Sequence, residues 1–146
     1  MGGRFAAVPH TEVVAEDLIG LQERLLRAVN DREVPQALLA PGFTMQQSIT
    51  SATDYAYNGP DGWRDWLNDI FEFFGSDARC ELVEVPLCGP DFVVATIRLT
   101  GHSALSSGNL ELQWTSVTRF RGGLAVSAEA FATPAEALAA IGAAAG

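Results

Sequence analysis

A glutamate in an alanine-rich segment, Glu129 in VSAEAFA, is the strongest candidate for acid–base chemistry in this sequence. A carboxyl group buried among small apolar side chains either needs a cationic partner or is held as the neutral acid, and both states are useful in catalysis. Arg98, on another predicted strand, could keep Glu129 ionised or bind an oxyanion. The alternatives are a structural salt bridge or an exposed position for Glu129, and a surface ion pair for Arg98.

Several other side chains could bind a ligand through hydrogen bonds or aromatic contact. The run Gln46-Gln47-Ser48 supplies neutral hydrogen-bonding groups, which suit recognition of ligand oxygens better than proton transfer. His102 stands at the end of a predicted strand, where solvation is the alternative, and Trp63 has the helical spacing of a core residue. The predicted substrate-binding residues are Tyr57, Gln47, Trp114, Ser116, His102 and Trp63.

A β-hairpin over Leu110–Phe131 must position much of this set. Gly122-Gly123 can supply the positive φ values that a tight hairpin turn needs, and β-branched or aromatic residues flank it. Period-2 alternation puts Trp114 and Ser116 on one face of the first arm, while Glu129 alternates with alanines in the second. Because both faces mix apolar and polar residues, we expect one face to be covered and the other to enclose a cavity.

The order of helical and strand patterns predicts an α+β fold. Apolar residues recur at three- and four-residue steps in the helical segments, and the strand segments are rich in β-branched residues. The predicted helices are Thr11–Val29, Arg32–Ala40, a third from near Asp61 to Gly75 and a short one from a capping box at Thr133 to Ile141; the predicted strands are Phe43–Ile49, Arg79–Leu87, Phe92–His102 and the hairpin arms. We expect the helices to pack on one face of a curved antiparallel sheet, with a short helix at the C-terminal end.

The charge balance argues against two classes of partner. Nine Lys+Arg against eighteen Asp+Glu give a net charge of −9, which repels phosphate backbones and anionic lipid. We therefore expect no nucleic-acid partner and no membrane partner. The N-terminal residues lack the apolar core of a secretion signal, which favours a cytoplasmic protein. A length of 146 residues predicts a single domain over 1–146, with a core spanning about 11–142.

The two cysteines indicate reduced core thiols. Cys80 and Cys88 lie eight residues apart in one predicted strand. An extended strand of that length spans roughly 26 Å, which is far beyond disulfide reach unless Pro86 bends the chain sharply. With no histidine nearby they do not resemble a zinc site, and we expect no metal.

Three local patterns resemble the SnoaL-like branch of the nuclear transport factor 2-like superfamily. They are YNGPDGWR at Tyr57–Arg64, GPDFVV at Gly89–Val94, and FRGGL at Phe120–Leu124 continuing to Glu136-Ala137-Leu138. The resemblance spans about residues 15–142 and rests on the order and spacing of the motifs. It implies a cone-shaped α+β barrel, often a homodimer through the outer sheet face. It also implies an apolar pocket that serves isomerases, epoxide hydrolases, polyketide cyclases and binding proteins.

The resemblance also bears on the chemistry. Gln47 and Ser116 stand where ketosteroid isomerases carry two carboxyl groups, so that reaction is not expected. Arg98 and Glu129 match part of the set found in limonene-epoxide-hydrolase-like enzymes, while Thr100 replaces the other acid. We expect a cofactor-independent cyclase, isomerase or hydrolase that acts on an apolar, oxygenated, polyketide-type metabolite. The alternatives are a non-catalytic small-molecule binding or accessory protein and, less favoured, a structural dimerising module.

Overall fold

The computed structural model describes residues 10–47, 56–102 and 109–142, with side chains described over 18–46, 56–102 and 109–142. Three α-helices, one short 3₁₀ turn and six strands make up these parts of the chain. In chain order they are α1 (His10–Asn30), the 3₁₀ turn (Gln36–Leu38), β1 (Leu39–Gln47), β2 (Ala56–Asn58), α2 (Gly59–Phe74), β3 (Arg79–Cys88), β4 (Phe92–His102), β5 (Asn109–Arg121), β6 (Leu124–Phe131) and α3 (Pro134–Ala140).

The six strands form one curved, open sheet in the order β2-β1-β6-β5-β4-β3. All neighbours are antiparallel except β1 and β6, which run parallel. The predicted α+β class is confirmed. Pro86 lies in β3, an edge strand, where a missing amide donor is tolerated.

The core lies between the inner face of the sheet and the helices α1 and α2. Both helices carry apolar residues at three- and four-residue steps, so each presents one apolar stripe to the sheet. On the opposite, outer face of the sheet, α3 packs through Ala137 against Val94 and Val117. Thr133 caps α3 by accepting a hydrogen bond from the Glu136 amide at 3.2 Å, as the capping-box pattern predicts.

The prediction of a second helix over Arg32–Ala40 is wrong. Arg32 has a positive φ of 57°, only Gln36–Leu38 form a 3₁₀ turn, and β1 already begins at Leu39. None of the three residues of this turn is fully buried. Leu39 is instead buried and pairs with Ala125 of β6, which satisfies its backbone in the sheet.

An irregularity in the β5–β6 hairpin decides which side chains face the core. Beside the turn Arg121 pairs with Leu124 and Phe120 with Ala125, but the next pair is Arg119 with Ser127. Val126 is therefore an extra residue in β6, a β-bulge. Because side chains alternate along a strand, this one residue reverses the face of every later residue of β6.

The C-terminal end of α1 is tied to β3 by one side chain. The Asn30 amide donates to the carbonyl oxygen of Cys80 at 3.0 Å and accepts from its N–H at 2.8 Å, so it pairs with β3 as a neighbouring strand would. Cys80 and Cys88 are free thiols. Burial raises the pKa of Cys80 to about 12 and also raises the pKa of Cys88.

In the described parts of the chain, none of the helices has the length and apolar character needed to cross a membrane. The cytoplasmic location and the single domain over 1–146 stay predictions.

A close approach between α2 and β4 yields a stability prediction. A Cβ added to Gly101 would lie 2.3 Å from the carbonyl oxygen of Phe74, and backbone atoms cannot move aside as a flexible side chain can. We expect Gly101→Ala to lower the free energy of unfolding by about 1–3 kcal/mol, as overpacking does. Chemical denaturation measures this.

The matched control is Gly20→Ala in α1, where an added Cβ meets nothing within 4 Å. This change should raise the free energy of unfolding by roughly 0.5–1 kcal/mol, because alanine loses less backbone entropy in a helix. Equal effects of the two substitutions would contradict the packing argument.

Candidate functional site

Two adjacent cavities lie between the helices and the inner face of the sheet. The mouth cavity has a volume of about 210 Å³ and is lined by Tyr57, Asp69, Phe73 and Leu112 among others. The inner chamber has a volume of about 50 Å³ and includes Gln22, Ser116 and Thr118 in its lining. Trp66 and Trp114 line both cavities, so the two cavities adjoin at these side chains.

The mouth cavity is apolar apart from one hydrogen-bonded pair. Helix α2 presents Trp66, Asp69 and Phe73 at steps of three and four, which places them on one helical face. Tyr57 reaches the same place from β2, and its hydroxyl donates to Asp69 Oδ2 at 2.7 Å. Phe73 is 57% exposed and Leu112 38%, so the cavity opens to the surface beside these two side chains.

The inner chamber combines apolar walls with three neutral polar side chains. Ser116 and Thr118, two residues apart on β5, share the inner face, and their hydroxyl oxygens are 3.3 Å apart. Gln22 comes from α1 and is only 3% exposed. Its Oε1 atom is buried and has no hydrogen-bond partner among the described residues. The chamber can therefore offer hydrogen bonds to a ligand without offering charge.

Four of the predicted substrate-binding residues line these cavities. Tyr57 and Trp114 line the mouth cavity, and Trp63, Trp114 and Ser116 line the inner chamber. The indole N–H of Trp63 donates to the carbonyl oxygen of Glu33 at 3.1 Å, so this residue forms a wall and also holds α2 in place. Their positions suit the predicted binding role, which itself stays a prediction.

The predicted catalytic residues Arg98 and Glu129 line neither cavity, and their catalytic role stays a prediction. Arg98 lies on the outer face, where its Nη1 is 2.8 Å from Glu81 Oε1 and its Nε is 3.8 Å from Glu111 Oε2. Glu129 is half-buried and pairs with Val117, whose side chain packs toward α3 on the same outer face. The bulge at Val126 is the reason, because without it Glu129 would face inward opposite Ser116.

His102 and Gln47 complete the predicted set. His102 is exposed, and its Nδ1 lies 2.5 Å from Asp77 Oδ2 while its backbone N–H donates to Asp77 Oδ1 at 3.1 Å. It lines neither cavity. Its contacts with Asp77 instead connect the turn after α2 to the end of β4. Gln47 ends β1 with its backbone opposite Ala130, and its side chain lies outside the described residues.

Sequence reasoning missed Asp69, Gln22 and Thr118 as lining residues. Asp69 is three residues after Trp66 and four before Phe73, so helical spacing alone places it on the face of those aromatics. Gln22 is four residues after Leu18 and three before Leu25, within the apolar stripe of α1. A polar residue inside such a stripe is the signal that could have identified both.

Comparison with known proteins agrees with the architecture. The SnoaL-like domain family matches residues 23–128 of the chain. A search of curated protein sequences found no match to this chain.

Solved structures with the same fold are distant in sequence. A protein from Jannaschia sp. assigned as a SnoaL-like polyketide cyclase has a TM-score of 0.64 at 18% identity, covering 89% of this chain and 92% of that one. TerC, co-crystallised with polyporic acid, has a TM-score of 0.66 at 14% identity, with 82% and 94% covered. A nuclear transport factor 2-like protein of unknown function from Burkholderia pseudomallei has a TM-score of 0.61 at 21% identity, with 84% and 95% covered. Identities this low show a shared fold only.

The His102–Asp77 contact yields a pH prediction. The hydrogen bond from the His102 side chain is the largest effect that holds the pKa of Asp77 below its usual value. A carboxyl group whose pKa is lower in the folded state stabilises the fold above its unfolded pKa, about 3.9, and loses that contribution as pH falls through the folded value. We expect Asp77→Asn to unfold at a lower temperature than the wild type at neutral pH, with the difference shrinking in acid.

Asp65→Asn on the exposed side of α2 removes the same charge without this contact and serves as the control. Thermal unfolding followed across pH measures both variants. A deficit of Asp77→Asn that persists unchanged into strong acid would contradict the assignment.

Proposed function

Because this chain belongs to the SnoaL-like family, we propose that it takes up an apolar, oxygenated small molecule through the mouth cavity. The observation that carries the proposal is the arrangement of the two cavities. Apolar and aromatic side chains form most of the lining. Among the described lining residues, the polar side chains are the Tyr57–Asp69 pair at the mouth and the amide and hydroxyls of the inner chamber. A mostly apolar cleft with a few convergent polar groups is the usual form of a small-molecule site.

The dimensions favour a ligand about the size of one substituted ring. A cavity of about 150 Å³ in another protein binds benzene. The mouth cavity, at about 210 Å³, has room for such a ring with substituents. The structure of TerC with polyporic acid supports an oxygenated organic ligand for this fold, and we extend that ligand class to this chain as a proposal.

The chemistry that the mouth cavity favours is general acid–base catalysis. Asp69 is a carboxylate that can accept a proton from a carbon next to a ligand carbonyl. The Tyr57 hydroxyl donates its one proton to Asp69 Oδ2 at 2.7 Å in the free protein, and with a ligand bound it can turn and donate instead to the oxygen that gains charge. Return of the proton to another carbon of the enolate would complete an isomerisation. Attack of the enolate carbon on a second carbonyl carbon of the ligand would form the ring bond and break that carbonyl's π bond, and return of the proton to the resulting alkoxide would complete a cyclisation. In this proposal Tyr57 and Asp69 take the roles that the sequence suggested for Arg98 and Glu129.

A non-catalytic binding or accessory protein is the second candidate. The feature that favours it is the inner chamber, whose polar groups within the described residues are an amide and two hydroxyls, with no carboxylate. Such groups recognise a ligand but do not abstract a proton at neutral pH. The predicted homodimer through the outer sheet face and the absence of a cofactor stay predictions under either candidate.

Two neighbouring positions on β5 test the location of the site. Leu112 lies on the inner face at the mouth cavity, whereas Gln113 pairs with Arg98 on the outer face. We expect Leu112→Glu to weaken binding of 4-ethylphenol at least about tenfold, because a charge in an apolar site must lose hydration when the ligand enters. Isothermal titration calorimetry measures the dissociation constant.

Gln113→Glu introduces the same side chain one residue away on the opposite face, and it should leave binding unchanged. Equal losses in the two variants would show that the mouth cavity is not the binding site. Circular dichroism establishes that both variants are folded.

A second test concerns the proton-transfer pair. Cyclic ketones and enones incubated with the protein in deuterium oxide should exchange hydrogen next to the carbonyl, as followed by NMR. We expect Asp69→Asn to slow this exchange by about 100-fold and Tyr57→Phe to slow it less, since general acid–base groups contribute effects of this order.

Glu129→Gln, which removes a carboxylate on the outer face, is the control and should exchange at the wild-type rate. Loss of exchange in Glu129→Gln but not in Asp69→Asn would refute the assignment. Binding of 4-ethylphenol without exchange of any compound in the panel would favour the non-catalytic candidate.

A further inference from the structure

We infer that the inner chamber recognises a hydroxyl group, so that the ligand is an alcohol, phenol or enol whose hydroxyl lies against Gln22, Ser116 and Thr118. The apolar body of the ligand then remains in the mouth cavity, beside Trp66 and Trp114, which line both cavities. This inference rests on the proposed function and specifies the substrate class of the same site.

Gln22 is the first reason. It is only 3% exposed and lies in the apolar stripe of α1 between Leu18 and Leu25. Its Oε1 atom is buried without a hydrogen-bond partner among the described residues, and Gln22 is one of the residues that line the chamber. An unpaired buried amide oxygen destabilises a fold, and leucine or methionine would serve packing better at this position. The position therefore makes sense if Oε1 accepts a hydrogen bond from a ligand.

The chemistry of the three polar groups selects the ligand group. An amide oxygen only accepts hydrogen bonds, while the hydroxyls of Ser116 and Thr118 both donate and accept. A ligand hydroxyl can donate to Gln22 and accept from one of these hydroxyls. A carbonyl or carboxylate oxygen only accepts, so it would leave Oε1 unpaired in the orientation that the Gln22 amide has in the structure. An ammonium group would find no carboxylate among the described lining residues to offset its lost hydration.

The size of the chamber gives the orientation. About 50 Å³ is enough for a hydroxyl group and the atom that bears it, since a single water needs roughly 10–15 Å³ of such volume. It is too small for a ring, whereas the mouth cavity, at about 210 Å³, is not. The ligand therefore enters with its hydroxyl first, and the ring stays beside Trp66 and Trp114.

Two probes of the same shape test this inference. 4-Ethylphenol carries a hydroxyl group at the position where 4-ethyltoluene carries a methyl group, and the two are otherwise identical. We expect the wild-type protein to bind 4-ethylphenol about tenfold more tightly in isothermal titration calorimetry, although it is the less hydrophobic of the two, because only the phenol pairs with Gln22. Gln22→Met keeps the length of the side chain and removes the acceptor, so it should abolish or reverse this preference.

Stability provides an independent readout. Gln22→Met removes an unpaired polar group from an apolar environment, so the free protein should unfold at a higher temperature than the wild type. Gln36→Met, at an exposed position in the 3₁₀ turn, is the control for the same substitution and should change neither stability nor preference. Ser116→Ala is a second variant on a different element, and it should reduce the preference for 4-ethylphenol without abolishing it.

The outcomes separate the inference from the proposed function. Equal binding of the two probes by the wild type, or an unchanged preference in both Gln22→Met and Ser116→Ala, would overturn hydroxyl recognition while leaving the mouth cavity as a binding site. Binding of neither probe would overturn both. A preference that disappears in Gln22→Met, in a protein that is folded and more stable, supports the inference.

Discussion

The register of the β5–β6 hairpin is the constraint on which the character of the site depends. The pairs beside the turn, Arg121 with Leu124 and Phe120 with Ala125, would continue to Ser116 opposite Glu129 if the ladder were regular. The extra residue Val126 shifts the pairing by one, so that Ser116 is opposite Ala130. One residue thus places an alanine-lined surface inside and the glutamate outside. The neutrality of the inner chamber follows from this shift.

Much of the architecture could be predicted because it is specified locally. The two glycines of the hairpin turn have φ values of 60° and 83°, as their sequence context predicts, and the alternation along β4 and β5 follows the period of a strand. The faces within each strand were therefore assigned correctly. The face of β6 relative to β5 was not, because it depends on the extra residue Val126, and the regular alternation assumed for a strand does not reveal a bulge. The same holds for Arg32–Ala40, where pairing of Leu39 with β6, a long-range contact, overrode a local helical pattern.

Only part of the candidate site could be predicted from the sequence, because some of its residues are brought together by tertiary packing. Trp114 and Ser116 could be assigned because they belong to a strand whose inner face is marked by large apolar residues. Asp69 and Gln22 come from two helices, and their contribution depends on how α2 and α1 lie on the sheet. Helical spacing gives the face of each helix, but only tertiary packing brings Asp69 to within 2.7 Å of Tyr57 from β2.

The bulge in β6 agrees with the uncharged character of the inner chamber. A regular ladder would direct Glu129 into an apolar chamber that has no cationic side chain among the described residues, and an unpaired buried carboxylate costs several kcal/mol. With Glu129 outside, the interior keeps only groups that are stable without charge, and Gln22 becomes the strongest acceptor that remains. Ionisable chemistry is then confined to the solvent-accessible mouth, where Asp69 keeps its hydration. In our proposal, recognition belongs to the inner chamber and proton transfer to the entrance, and Trp66 and Trp114 line both cavities. A fold shared with other proteins does not by itself fix the contents of its cavity, because a single extra residue in β6, which leaves the strand order unchanged, decides which β6 side chains face inward.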